Sequence, residues 1–158
     1  MRYSPTGKSI NSDIHLPLQN ILESMNSDNL NIMLIDDNEA SHIIHKINIE
    51  DAGLDPNNVK SCYGVDEAIN QLTCMIESGS KTNWPHYIFL DINMPRKSGY
   101  DFISEFEKVR SSFDTPTIYL VSSSINPEDV KRAEELKLVS GFKTKFLEKD
   151  FIKSLALN

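Results

Sequence analysis

The sequence predicts an α/β protein built on one open, doubly wound sheet of five parallel strands, with helices on both faces. Five short apolar runs alternate along the chain with five segments of helical periodicity. This order is typical of a parallel sheet with right-handed crossover connections. The runs at 87–90 and 117–121 show no polar alternation and are rich in branched and aromatic residues, as strands buried on both faces are. We therefore expect one domain over residues 30–158.

The composition excludes several classes of protein. Hydrophobic residues make up 39% and charged residues 25% of the 158 residues, which is ordinary for a soluble globular protein. A net charge of −7 without a basic stripe argues against nucleic-acid binding. We find no apolar run of membrane-spanning length and no leader of the signal-peptide type, so we expect a cytoplasmic protein without membrane association. Cys62 and Cys74 match no metal-ligand spacing and are predicted to be free thiols.

Residues 1–29 are predicted to form an N-terminal extension, partly disordered and containing one short helix. The segment is polar and rich in Ser and Asn, and Pro17 stands where a first helical turn would begin. The helix after Pro17 would carry an apolar stripe that needs a partner surface, so we expect this stripe to pack on the domain or on a second copy of the chain in a homodimer. Its apolar residues fall at i, i+3, i+4 and i+7: Leu18, Ile21, Leu22 and Met25.

The first strand is predicted at residues 30–35, and the helix after it extends to about residue 51. Asn38 is the expected N-cap of this helix. His42 and His45 lie three residues apart on it, but no third ligand is evident. We therefore interpret them as ordinary surface or half-buried histidines. The helix is expected to bury an apolar stripe formed by Ala40, Ile43, Ile44 and Ile47.

The remaining elements follow in the same alternation. Turn-forming residues at 53–58 precede a second strand at 59–63 and a helix at 65–78. Trp84 lies in the next loop and is interpreted as a packing anchor. The later strands and helices are predicted at 87–90, 100–109, 117–121, 127–138, 139–144 and 148–157.

Polar side chains that can bind ions or take part in a reaction follow four of the five predicted strands. Asp36 and Asp37 follow the first strand, Asp91 the third, Ser122 the fourth and Lys145 the fifth. Because the carboxyl ends of parallel strands lie at one edge of a sheet, these side chains should meet there. Three carboxylates suit a hard cation such as Mg²⁺, and an ammonium and a hydroxyl donate to phosphoryl oxygens. The set therefore predicts a phosphoryl-transfer site, although a lone Asp91 would more often cap a turn.

From about residue 30 to 157 the sequence resembles the receiver domain of two-component response regulators, in the manner of the stand-alone chemotaxis regulators. The matching pieces are Asp36-Asp37, the stretch DINMP around Asp91 with Gly99 beyond it, Ser122 after LV, and Lys145 after GFKT. The resemblance implies a flavodoxin-like fold. It also implies that the protein is a single-domain phosphoacceptor that assists its own Mg²⁺-dependent phosphorylation, and not an enzyme.

The resemblance assigns roles to residues of the site. Asp91 would accept a phosphoryl group from a histidine kinase or phosphotransfer protein in a phosphorelay. Lys145 would pair with the phosphoryl oxygens, while Ser122 and Phe142 would form the switch that signals to a downstream effector protein. The implied ligands of Mg²⁺ are Asp36, Asp37, Asp91 and the backbone carbonyl of Asn93.

The residue after Lys145 departs from the family pattern, which usually has proline there and often a cis bond. Here that residue is Phe146. Because a cis bond before a non-proline residue costs about 2.5–4 kcal/mol, we expect a trans bond with the Phe146 side chain buried against the closing helix.

Two other functions compete with this interpretation. The chain could be a receiver-fold interaction module that works without phosphorylation. It could also be a metal-dependent phosphatase with Asp91 as nucleophile. Phosphatases of the haloacid-dehalogenase type typically place a second aspartate two residues later, where this chain has Asn93.

Overall fold

The computed structural model of the chain describes residues 30–110 and 113–157. These residues contain one parallel sheet with the strand order β2-β1-β3-β4-β5. The strands are β1 (Ile32–Ile35), β2 (Val59–Cys62), β3 (Tyr87–Asp91), β4 (Thr117–Ser122) and β5 (Val139–Thr144). The helices are α1 (Glu39–Asp51), α2 (Val65–Ser78), α3 (Gly99–Val109), α4 (Pro127–Glu135) and α5 (Lys149–Leu155), with a 3₁₀ turn at Pro56–Asn58.

The predicted flavodoxin-like α/β fold is confirmed, including the parallel sheet and the alternation of strands and helices. The element boundaries differ from the predictions by only a few residues, most of all at the end of α4. The prediction for residues 1–29 lies outside the described residues. Within the part of the chain that the structure describes, no helix is long and apolar enough to cross a membrane.

The core consists of two hydrophobic clusters, one on each face of the sheet. Because successive side chains of a strand point to opposite faces, Met33 and Ile35 join one cluster while Ile32 and Leu34 join the other. The first cluster is covered by α2, α3 and α4, and the second by α1 and α5. This burial on both faces explains why the strands are continuous apolar runs.

Helix α1 does not bury the stripe that its isoleucines predict. Ile43 and Ile47 are 54% and 51% exposed, Ala40 is also exposed and Ile44 is only half-buried. The helix begins beside the polar strand ends, where a histidine on its inward face contacts a backbone carbonyl, so polar side chains take the inner positions. The residues buried on this helix are Ser41, His42, His45 and Ile49.

The interpretation of Trp84 as a packing anchor agrees with its environment. Its side chain is buried and its indole N–H donates a hydrogen bond of 2.8 Å to the carbonyl of Asp114. The ring also packs edge-on against Phe113. Trp84 therefore closes the end of the sheet where the strands begin, opposite to the strand ends that carry the polar cluster.

Candidate functional site

The strand order places the polar strand ends side by side. Strand β3 lies between β1 and β4, so Asp91 at its end has Asp36 on one side and the end of β4 on the other. Single carboxylate oxygens of Asp36, Asp37 and Asp91 all lie within 4.8 Å of one another. Asp36 and Asp91 are buried, whereas Asp37 faces solvent. The cluster is thus a pocket with one open side.

Lys145 forms ion pairs with both buried carboxylates. Its Nζ lies 2.6 Å from Oδ2 of Asp36 and 3.4 Å from Oδ2 of Asp91. Burial favours the neutral amine, but the hydrogen bond to Asp36 and the charges of both carboxylates outweigh it and raise the pKa of Lys145. The backbone also holds this residue in place, since the Lys145 N–H donates to the carbonyl of Ser122 at 2.9 Å.

Opposing effects act on the carboxyl group of Asp91. Burial is the largest and raises its pKa, and the nearby charge of Asp36 acts in the same direction. Lys145 and the backbone N–H of Asn93 favour the charged form and offset part of the increase. The net result is a raised pKa, which identifies Asp91 as a carboxylate held in a confined, partly neutralised environment.

The two histidines of α1 are buried, contrary to the sequence-based interpretation. His42 is 2% exposed, and its Nε2 lies 2.7 Å from the backbone carbonyl oxygen of Asp36. His45 is 3% exposed and packs edge-on against the ring of Phe146, and burial lowers its pKa to about 4. His42 thus contacts the backbone of Asp36, and His45 contacts the residue after Lys145. The sequence signal for their burial near the site was their position in the first two turns of the helix that follows Asp36 and Asp37.

The predicted trans bond between Lys145 and Phe146 is wrong, because the structure has this bond in the cis form. The Phe146 side chain is 41% exposed and contacts His45 of α1, so it is not buried against α5 as expected. Our expectation considered only local backbone preference. The contacts of this segment are long-range, with Asp36, Asp91 and His45, and such contacts leave no local pattern in the sequence.

The candidate switch residues lie on β4 and β5. Asp91 is paired with Val121, so Ser122 lies one position beyond it on the neighbouring strand. The Ser122 side chain is fully buried, and its hydroxyl accepts a hydrogen bond of 3.4 Å from the N–H of Ser124. Phe142 lies opposite Leu120, is half-buried and packs against the cluster beneath α2, α3 and α4.

Two features shape the loop after Asp91. A Cβ atom on Gly99 would lie 2.6 Å from the backbone carbonyl oxygen of Asp91, so this position requires glycine. Lys97 forms ion pairs with Asp66 of α2 and, at 2.8 Å, with Glu105 of α3. The sequence reasoning missed Lys97, because its partners come from two different helices. Asn93 is exposed on the same loop, next to the carboxylate cluster.

The donor set of the pocket fits a hard divalent cation. Carboxylate oxygens are the preferred protein ligands of Mg²⁺, which retains several water molecules and therefore needs an open side. The cluster is open to solvent at Asp37, whose side chain is exposed. One oxygen of Asp36 accepts from the N–H of Asn38 at 2.9 Å and the other contacts Lys145, so this carboxylate is oriented before any cation binds.

The model of the response regulator receiver domain family matches residues 32–155. The chain therefore belongs to this family, whose members are signalling proteins of two-component systems. Receiver domains bind Mg²⁺ at an acidic pocket and interact with histidine kinases or phosphotransfer proteins and with effectors. The comparison with curated proteins gives no match.

Solved structures agree with this family. A two-component response regulator from Cytophaga hutchinsonii has 26% identity and a TM-score of 0.70, with 83% of this chain and 98% of that chain covered. A response regulator receiver protein from Dyadobacter fermentans has 19% identity, a TM-score of 0.67 and coverage of 80% and 94%. The receiver domain of the histidine kinase CKI1 from Arabidopsis thaliana, complexed with Mg²⁺, has 23% identity, a TM-score of 0.62 and coverage of 82% and 90%.

Proposed function

We propose that this receiver is a response regulator that accepts a phosphoryl group on Asp91 from a phosphohistidine of a histidine kinase or phosphotransfer protein. An oxygen of the Asp91 carboxylate attacks phosphorus, the P–N bond to the histidine breaks, and an acyl phosphate forms. The departing imidazole keeps the bonding electron pair and takes up a proton. The observation that carries the proposal is the ion cluster of Lys145 with the carboxylates of Asp36 and Asp91.

The geometry favours Asp91 over its neighbours as the acceptor. Both oxygens of Asp36 already have partners, Asn38 and Lys145. Asp37 is exposed to solvent and forms no ion pair with Lys145 among the contacts of the described residues. Asp91 ends β3 in the middle of the sheet, where Lys145 and the N–H of Asn93 can neutralise added negative charge.

A bound Mg²⁺ would reduce the repulsion between the carboxylates and the incoming phosphoryl oxygens. Asp36, Asp37 and Asp91 would hold it together with the backbone carbonyl of Asn93, and the Mg²⁺ complex of the CKI1 receiver supports Mg²⁺ as the cation. Lys145 supplies the second positive charge from within the protein. The residues themselves orient the acceptor and confine the donor group, and this positioning is most of what phosphoryl transfer requires.

The surface beside the pocket suits a protein donor. Ile43 and Ile47 lie four residues apart on the exposed side of α1, and Phe146 lies near the same helix through its contact with His45. Exposed apolar side chains of this kind commonly mark an interaction surface. They would contact the kinase or phosphotransfer protein while its phosphohistidine enters the pocket. We place this exchange in the cytoplasm, in agreement with the free thiols of Cys62 and Cys74.

Phosphorylation would reach an effector through β4 and β5. The Ser122 hydroxyl would turn to hydrogen bond with the acyl phosphate, and the half-buried Phe142 would move inward beside it. The two strands precede α4 and α5, which cover opposite faces of the sheet, and a rearrangement of these helices would change the surface presented to the effector. Ser122→Ala should therefore accept phosphate but fail to shift the amide NMR signals of α4.

Phosphorylation of the purified protein by two small donors tests the proposal. Acetyl phosphate donates its phosphoryl group from a P–O bond, and phosphoramidate donates it from a P–N bond. With Mg²⁺, mass spectrometry should show one added phosphoryl group, lost on chelation and absent in Asp91→Asn. Asp37→Asn should be slowed, and Ile47→Asp should react like the unaltered protein because small donors do not need the α1 surface. Equal labelling of Asp91→Asn would place the acceptor elsewhere. No labelling of the folded protein by either donor would favour an interaction module that works without phosphorylation.

A further inference from the structure

A groove lies at the edge of the sheet where the strands begin, far from the carboxylate cluster. Its volume is about 680 Å³, and its lining combines apolar residues from the loop before β3, the start of β4 and the end of α5 with polar ones that include Lys81 and Asp114. The walls are fixed by hydrogen bonds, since the Tyr87 hydroxyl donates to the carbonyl of Leu155 at 3.2 Å. At the rim, Leu157 is 69% exposed. The lining includes Leu30, Trp84, Pro85, Tyr87, Pro116 and Leu155.

The N-terminal segment leaves the domain at this groove. Leu30 lines the groove, and the next residue is anchored beside it: the Asn31 N–H donates to Nδ1 of His86 at 3.0 Å, and the Asn31 carbonyl accepts from the His86 N–H at 2.9 Å. Four residues separate Met25 from Leu30. At up to about 3.6 Å per residue, Met25 stays within roughly 18 Å of Leu30.

This tether favours the groove over the functional pocket. Asp36 lies six residues along the chain from Leu30, which is about 20 Å in a strand. The groove is therefore the nearest surface to the start of the described chain, whereas the carboxylates lie about a strand length away at the opposite edge. A short tether also gives the stripe a millimolar effective concentration at nearby surfaces, so a modest apolar contact suffices to hold it.

We infer that residues 18–25 form a helix that docks through Leu18, Ile21, Leu22 and Met25 into the groove between Trp84, Tyr87 and Leu155. An isolated helix of this length is marginal in water, so it forms only when its apolar stripe is covered. The groove supplies apolar surface directly at the tether, and docking covers Leu157 as well. The exposed Ile43 and Ile47 of α1 are the competing surface on the described part of the chain.

Amide hydrogen exchange of the full-length protein tests the docking. The expected result is exchange in residues 18–25 slower than in a free chain by about tenfold or more, because a helix held by tertiary contacts is protected. Leu22→Asp should abolish this protection. The matched control is Asn20→Asp, which adds the same charge on the opposite side of the predicted helix and should leave the protection intact. Fluorescence of Trp84, the one tryptophan of the chain, should change in the first variant alone.

Two surface variants identify the docking site without disturbing the core. Leu157→Asp changes the rim of the groove and should release the segment, whereas Ile47→Asp changes the α1 surface and should not. Unprotected amides at 18–25 in the unaltered protein would overturn the inference. It would also be overturned if Ile47→Asp removed the protection and Leu157→Asp left it unchanged. Protection that disappears on dilution would assign the groove to a second copy of the chain and would likewise overturn it.

Discussion

Replacing Lys145 with methionine should destabilise the protein by an amount that depends on pH. The Nζ of Lys145 lies 2.6 Å and 3.4 Å from carboxylate oxygens of Asp36 and Asp91, whose side chains are 5% and 6% exposed. At an effective dielectric constant of about 20, each attraction is roughly 5–6 kcal/mol before the cost of desolvation. Breaking a buried pair by removing one partner typically costs about 3–5 kcal/mol.

Protonation of Asp91 sets the upper limit of the part of this cost that comes from Asp91. Burial already raises its pKa and Lys145 opposes that rise, so the variant raises the pKa further. A carboxyl group with a raised pKa in the folded state reduces stability as the pH rises above its unfolded value, here 3.8. Holding the proton at pH 7 costs about 1.4 kcal/mol per pH unit, or about 4 kcal/mol in total. We therefore expect a loss of about 3–4 kcal/mol at pH 7 without Mg²⁺, and of about 2 kcal/mol at pH 5.5.

Urea unfolding followed by circular dichroism measures this loss at both pH values, with and without Mg²⁺. Lys137→Met is the control, because it makes the same change at an exposed position. Adding Asp91→Asn to Lys145→Met should restore the part of the stability that depends on the Asp91 charge at pH 7, and Mg²⁺ should reduce the loss in the single variant. A loss that is the same at both pH values and unaffected by Asp91→Asn would refute the electrostatic explanation and attribute the cost to packing.

Two further predictions follow from the groups around the pocket. Gly99→Ala should lower the free energy of unfolding by about 1–3 kcal/mol and slow the labelling of Asp91 by acetyl phosphate, because the added methyl group meets the Asp91 carbonyl. Gly64→Ala, where no atom lies within 4 Å of the new Cβ, should leave the labelling unchanged and cost only what alanine costs at the N-cap of α2, about 1 kcal/mol or less. His45, with its pKa lowered from 6.5 to about 4, should contribute stability that is lost as the pH falls between these values, by about 3 kcal/mol. His45→Phe should flatten that part of the stability curve, and an unchanged slope would contradict the assignment to His45.

The sequence predicts the fold and the meeting of the strand ends because both depend on local patterns. Alternation of buried strands with helices implies a parallel sheet, and a parallel sheet brings all its strand exits to one edge. Asp36, Asp91 and Lys145 meet for that reason, although they are far apart in the chain. No pairing between individual side chains had to be known in advance.

The exposed and buried faces of α1 could not be predicted in the same way. Helical periodicity selected Ile43 and Ile47 as core residues, but the helix packs beside a polar pocket and not only on the sheet. There His42 contacts the carbonyl oxygen of Asp36, and this contact rotates the isoleucines outward. The cis bond before Phe146 escaped prediction for a related reason, since its surroundings come from β1, β3 and α1.

In the proposed function, the position of Lys145 links the chemistry to the output surface. Its ammonium now bridges Asp36 and Asp91, but a phosphoryl group on Asp91 would present oxygens further from the strand end, and the ammonium would follow them. The backbone N–H of Lys145 is hydrogen bonded to the carbonyl of Ser122, so the ends of β4 and β5 share any displacement. The same motion that neutralises the phosphoryl group would therefore act on Ser122 and, through β5, on Phe142. A single lysine can in this way couple the charge on Asp91 to the helices that an effector would contact.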